Sequence, residues 1–122
     1  MVDLTGKRVL VTGGAVRIGR HIVLGMARHG ARVVIHYNAS AVEAHELLEQ
    51  LGGAAAGHLL VKADLQDVGQ RHALINTIVR EHGPLDGLVN NASVYRRLPL
   101  LEADEEAMRR DYEVNFVAPF TL

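Results

Sequence analysis

Arg8-Val9-Leu10-Val11-Thr12-Gly13-Gly14-Ala15-Val16-Arg17-Ile18-Gly19 is the stretch whose reading decides the fold. Residues 8–12 are a short apolar run with β-branched members, which predicts a strand buried on both faces. A glycine pair follows. From Gly14 to His29 the residues Ile18, Ile22 and Met26, with Val23 and Ala27 beside them, recur at helical spacing. Strand, glycine turn and helix in that order offer bare backbone amides and the positive end of a helix dipole, where a diphosphate can be held. A glycine pair alone is more often a plain turn; its place at the first strand-to-helix junction is what points to a nucleotide.

Outward from there the chain alternates. Gly30 stands where a helix C-terminus needs a left-handed residue, and residues 32–37 form a second apolar run. Ser40-Ala41-Val42-Glu43 reads as a capping box that opens a helix through Leu47, Leu48 and Leu51, closed by Gly52-Gly53. Residues 58–63 predict a third strand, Asp67 the cap of a third helix that ends at Gly83-Pro84, and residues 86–90 a fourth strand. A last helical stretch begins near Asp104. This alternation predicts an α/β fold: a Rossmann-type doubly wound parallel sheet of about four strands and four helices with right-handed connections. Residues 1–122 read as one dinucleotide-binding half-domain. Val117 to Leu122 is an apolar helical end without a stop signal, and strand four would be left as an apolar edge. The expectation is therefore an incomplete domain, truncated within its last helix, with its C-terminal half missing.

Composition narrows the function classes. The chain has 122 residues, 48% hydrophobic and 22% charged, which is globular composition. A formal net charge of −1 gives no electrostatic footprint for nucleic acid. The absence of cysteine excludes thiolate metal sites and cysteine nucleophiles. No apolar run reaches membrane-spanning length, so the expected setting is the cytoplasm, with no membrane partner. None of the seven histidines stands three or four residues from another, so no helical metal pair is expected. Asp104, Glu105 and Glu106 suit the first turn of a helix, with Glu105–Arg109 and Glu106–Arg110 as ion pairs on its solvated face.

Arg17 and Arg20 lie in the early turns of the first helix, where a cation opposes the dipole; a bound phosphate would offset that, and plain exposure to water is the alternative. No lysine follows the glycine turn, which argues against a nucleoside triphosphatase. After the second strand come His36, Tyr37, Asn38, Ala39 and Ser40, none of them acidic. A carboxylate there binds the ribose hydroxyls of NAD and repels a 2′-phosphate, so this set permits NADP without excluding NAD. Ser40 fits two roles, helix cap or phosphate contact.

Four motifs carry a resemblance: Thr12 to Gly19, Ala63-Asp64-Leu65, Asn90-Asn91-Ala92-Ser93, and Asn115 within Tyr112-Glu113-Val114-Asn115. In this order and spacing the chain resembles the short-chain dehydrogenase/reductase family over essentially its whole length. Arg17 and Ser93, where most of that family has glycine, resemble the pteridine reductase-like branch. The resemblance implies hydride transfer between NADP and a small substrate, a pteridine or carbonyl-type compound. It implies that Thr12, Gly13, Ile18 and Gly19 hold the cofactor phosphates, that Arg17 reaches those phosphates or the substrate, and that His36, Tyr37, Asn38 and Ser40 stand at the adenosine end. Asp64 would bond the adenine amino group beside Leu65, and Asn90, Asn91 and Ala92 would line the ribose pocket. Ser93 would face the nicotinamide side and Tyr95 would stack on a flat substrate. Asn115 would hold a water in the catalytic proton relay. Read from the residues alone, Asp64 is equally a turn residue, Asn90-Asn91 a turn pair, Asn115 a surface helix residue and Tyr95 a packed loop aromatic. The branch has a basic residue in the place of Ala39.

The family's proton donor is a tyrosine with a lysine four residues later. Tyr37, Tyr95 and Tyr112 are followed at that distance by Ala41, Pro99 and Phe116, and the only lysines are Lys7 and Lys62. That pair is absent, so these residues alone are not expected to turn over substrate. A dinucleotide-binding module without chemistry is the alternative reading. The family pairs subunits through the helix that carries Asn115, so a homo-oligomer, or association with the missing half, is expected.

Overall fold

The computed structural model describes residues 2–122. The strands are β1 (Arg8–Val11), β2 (Arg32–Tyr37), β3 (Leu59–Lys62) and β4 (Gly87–Val89). They form one parallel sheet in the order β3-β2-β1-β4, with Val9 opposite both Val33 and Gly87. The helices are α1 (Arg17–Arg28), α2 (Ala41–Gln50), α3 (Val68–His82), α4 (Glu105–Tyr112) and α5 (Ala118–Thr121), with a π-helical turn, Glu113–Val117, joining the last two. The chain works outward from β1 to β3, then crosses back to place β4 on the other side of β1. That reversal opens a crevice at the C-terminal ends of the strands.

Two-residue alternation in the central strands builds two cores. Val9, Val11, Val33 and Ile35 point to the face covered by α1 and α2, where they meet Val23 and Leu47. Leu10 and Val34 point to the other face, against Leu74 and Ile78 of α3 and Ala118 of α5. Both faces are therefore apolar, as the unbroken apolar run at residues 8–12 predicts.

Helix ends follow their local chemistry with one exception. Gly30, at φ +90°, closes α1: its amide bonds the Ala27 carbonyl at 3.0 Å and the Ala31 amide bonds Met26 at 3.1 Å. Gly52 and Gly53 repeat the arrangement after α2, on the carbonyls of Glu49 and Leu48. Asp67 caps α3 by accepting from the Gln70 amide at 2.9 Å. The exception is Ser40. It occupies the N-cap of α2, but its side chain makes no cap bond, so the expected capping box does not form. Its ψ of +57° lies outside the extended region from which a cap serine reaches back over the first turn.

The last helix also departs from expectation. It starts where predicted, with Asp104 accepting from the Ala107 amide at 2.8 Å. It then widens into the π turn just before Pro119. Proline has no amide proton to give the carbonyl four residues back, and its ring crowds that carbonyl, which accounts for the change of register there.

His36 and His58 are buried, and that burial holds both below the ordinary histidine value; for His36 a bond to the Ala63 carbonyl partly opposes the shift. In the unfolded chain each titrates near 6.5. Unfolding then takes up protons, so stability is full above about pH 6.5 and falls as the pH drops toward the lowered folded values, by at most about 1.4 kcal/mol per pH unit for each ring. His58 Nδ1 accepts from the Val33 amide at 3.1 Å, an acceptor role that an asparagine oxygen can fill. Urea melts of His58→Asn between about pH 7.5 and pH 5 should therefore show a shallower loss of stability than wild type; equal slopes would contradict this.

Candidate functional site

The crevice begins with a backbone knot between β1 and β4. The Thr12 hydroxyl, buried, accepts from the amides of Asn91 and Ala92, each at 3.0 Å. The Asn91 side chain donates in return to the carbonyls of Thr12 and Gly13 at 3.0 and 3.1 Å. Gly13 sits at φ +61°, and a Cβ there would lie 2.9 Å from the Ala92 Cα. A Cβ on Gly19 would overlap the Gly13 carbonyl and come within 2.6 Å of the Asn91 amide nitrogen. Glycine is needed at both places because main chain packs on main chain.

Below the turn lies His36. Its Nδ1 accepts from the Gly13 amide at 3.0 Å, its Nε2 faces the Ala63 carbonyl at 2.9 Å, and its own carbonyl accepts from the Gly14 amide at 3.0 Å. These partners define a neutral ring with the proton on Nε2. The amides of Gly13 and Gly14 are thus already used. Helix α1 starts at Arg17 rather than at Gly14, because Val16 before it is extended, with φ −135° and ψ 162°. Its first amides, on Arg17, Ile18 and Gly19, have no acceptor among the described residues, no side chain caps the helix, and its first turn holds no acidic residue. Arg17, at φ +51°, is the one non-glycine residue with positive φ among those described.

These amides open on a cavity of about 660 Å³ along the C-terminal ends of the strands. The turn contributes Gly13, Arg17, Ile18 and Gly19 to its wall, and the end of β2 contributes His36, Asn38 and Ser40. Asp64 and Leu65 stand on the third side, and Asn91, Ala92 and Ser93 on the fourth. Asp64 is also the turn residue it resembles, since its carboxylate accepts from the Gln66 amide at 2.9 Å.

Five expected site residues lie outside that wall, each for a visible reason. Thr12 is spent on the knot. The Tyr37 ring packs edge-on to His45 of α2, 6.3 Å between centroids. Asn90 donates to the Pro119 carbonyl at 3.4 Å, tying β4 to α5. Tyr95 is 85% exposed and does not line the cavity. Asn115 lies in the π turn, where its side chain accepts from the Val94 amide at 2.8 Å and donates to the Val94 carbonyl at 2.9 Å. It clamps the strand that leaves β4.

The wall also holds residues that the sequence did not single out: Val16, Gln66, Val94, Arg110 and Val114. Arg110 carried a signal that was read differently. Of the two expected pairs on α4, Glu105–Arg109 forms, whereas Glu106–Arg110 is not among the ion pairs of the described residues. Val114 and Gln66 reach the cavity only through tertiary packing and had no signal in the chain. No group of three or more histidine, aspartate or glutamate side chains able to hold a metal occurs among the described residues. No helix is long and apolar enough to cross a membrane.

A family model described as short chain dehydrogenase matches residues 7–122, and the chain belongs to that family. An uncharacterized oxidoreductase of Methylorubrum extorquens is 36% identical over 94% of this chain and 46% of its own length. The short-chain dehydrogenase/reductase homolog YusS of Bacillus subtilis is 36% identical over 86% of this chain and 98% of its own length. The chain thus spans about half the length of the first of these relatives and nearly all of the second. Among solved structures, FolM alternative dihydrofolate reductase 1 from Brucella canis, complexed with NADP, superposes with a TM-score of 0.84 at 33% identity over 98% of this chain and 48% of that one. A blue fluorescent protein from a metagenomic library, in complex with NADPH, superposes with a TM-score of 0.86 at 32% identity, over 98% of this chain and 49% of that one.

Arg17 holds its left-handed φ at a cost that glycine does not bear. Arg17→Gly should therefore raise stability by about 1 kcal/mol in urea unfolding. Unchanged or lower stability would mean that contacts of the arginine side chain outweigh the backbone strain.

Proposed function

We propose that the cavity binds NADP(H) and that the chain is the N-terminal, cofactor-binding half of a cytoplasmic short-chain reductase of the pteridine reductase-like branch. The observation that carries this is the uncapped start of α1. Three amides without acceptors, a helix dipole and the Arg17 cation open on one cavity whose floor is glycine backbone. The chemistry of that donor set fits a diphosphate.

In this reading the amides of Arg17, Ile18 and Gly19, with the Arg17 side chain, hold the diphosphate. Asn38 and Ser40 take the 2′-phosphate. The Ser40 hydroxyl makes no cap bond, which leaves it available for that contact. Asp64 accepts from the adenine amino group with Leu65 against the ring, and Asn91 and Ala92 border the ribose. When bound, the reduced nicotinamide supplies hydride; Ser93 borders its side of the cavity, Tyr95 covers a flat substrate, and Asn115 positions the segment at Val94 and the relay water. Arginine at 17 and serine at 93 support a pteridine substrate, as does the dihydrofolate reductase among the structural neighbours. Hydroxynaphthalene reductase arp2 of Aspergillus fumigatus, 38% identical over 93% of this chain and 42% of its own length, supports a cyclic ketone instead.

A second reading is a dinucleotide-binding module that does no chemistry. A relative, YusS, of which the chain covers 98%, supports it.

Calorimetric titration of the chain tests the shared step. NADPH should bind at least about tenfold more tightly than NADH, a difference of about 1.4 kcal/mol, and FMN should not compete. Arg17→Gly should weaken NADPH. Absence of dinucleotide binding, or a preference for FMN, would overturn the proposal. NADPH consumption with a dihydropteridine or a hydroxynaphthalene-type ketone should be nil for this chain alone. Turnover would show that another residue replaces the missing proton donor.

Met108, Tyr112, Phe116 and Phe120 are exposed at four-residue spacing along α4, the π turn and α5, and the Tyr112 and Phe116 rings stack at 5.2 Å. Four α-helical residues overshoot one turn by about 40°, and the wider π turn brings the stripe back into line. We propose that this stripe pairs with a second copy of the chain. Sedimentation should show a dimer that Tyr112→Ser with Phe116→Ser converts to a monomer; a monomeric wild type at high concentration would refute it.

A further inference from the structure

We propose that His36 is a positioning residue for the diphosphate: its ring and its carbonyl draw the Gly13 and Gly14 amides inward, so that the free amides at the start of α1 are the ones left facing the cavity. This rests on the nucleotide-binding reading above and adds how the turn is held. His36 borders the cavity at the end of β2 but is only 2% exposed, and both ring nitrogens are bonded within the protein, to the Gly13 amide and toward the Ala63 carbonyl.

The geometry is a three-point clamp. The Gly13 amide donates to Nδ1 at 3.0 Å, the Gly14 amide to the His36 carbonyl at 3.0 Å, and Nε2 meets the Ala63 carbonyl at 2.9 Å. Ala63 immediately precedes Asp64, so one ring joins the diphosphate turn to the adenine side of the cavity. Aliphatic side chains of similar size would fill the space but leave the Gly13 amide and the Ala63 carbonyl without partners. A buried unpaired donor is costly, so the turn would rearrange, and binding would have to restore it.

The two ring nitrogens can be separated by substitution. The asparagine oxygen of His36→Asn stands near Nδ1 and can accept from Gly13. The longer amide of His36→Gln reaches toward Ala63 and leaves Gly13 unpartnered. His36→Leu removes both contacts. Each protein is titrated with NADPH and with adenosine 2′-monophosphate, which engages the adenine and 2′-phosphate sides but has no diphosphate.

His36→Gln should lose about tenfold in NADPH affinity while binding adenosine 2′-monophosphate as wild type does, His36→Leu should lose at least as much in NADPH affinity, and His36→Asn should recover most of the loss. Equal losses for both ligands in His36→Gln would mean a general structural role and overturn the proposal, as would unchanged or tighter NADPH binding by His36→Gln. If wild type binds neither ligand, the nucleotide reading fails instead. A measurement on wild type alone guards against variants that do not fold. Nitrogen-15 NMR should find Nδ1 unprotonated, with a scalar coupling across the hydrogen bond to the Gly13 amide. A protonated Nδ1 would refute the clamp whatever the variants do.

Discussion

The hydrogen bonds that join the ends of β1 and β4 are the constraint on which the site depends. Thr12 and Asn91 exchange contacts across the reversal point of the sheet, so the chain can leave β1 in a tight turn and still meet the segment after β4 without a gap. Gly13 and Gly19 lack side chains at the two places where this contact is closest. Because the knot satisfies its own polar groups, it can sit at the bottom of a crevice whose α1 wall presents three unpartnered amides.

His36 adds a second layer beneath it. By accepting from Gly13 and Gly14 it divides the amides of the turn into two sets, one committed to the protein and one open to the cavity. The division explains why the positive end of α1 is concentrated at residues 17–19. It also places Arg17 where its backbone must take a left-handed turn, bringing a cation to the same wall. Strain at one residue and open donors at its neighbours are the usual marks of a ligand cradle.

Much of this was legible in the chain. The alternation of apolar runs with helical spacing implied a parallel sheet, and the glycine turn at its first junction located the crevice. Gly30, Gly52-Gly53 and Asp67 act where their chemistry says they should. The capping box that the sequence predicts at Ser40 does not form, because the motif needs an extended N-cap and the turn after β2 leaves Ser40 with a ψ of +57°. The π turn went unseen because its cause, Pro119, acts on a carbonyl four residues earlier, a register effect that periodicity does not display.

The sequence by itself determined the order of the elements, the two apolar faces of the sheet and the place of the glycine turn, since each of these arises from neighbours close along the chain. Tertiary structure alone decided which way the polar groups turn. Whether Thr12 faces a ligand or its own backbone, whether Asn115 meets Val94, and whether Arg110 pairs on its helix or borders the cavity depend on partners many residues away. A side chain's chemistry lists the bonds it can make; only packing brings one of those partners within about 3 Å and removes the others.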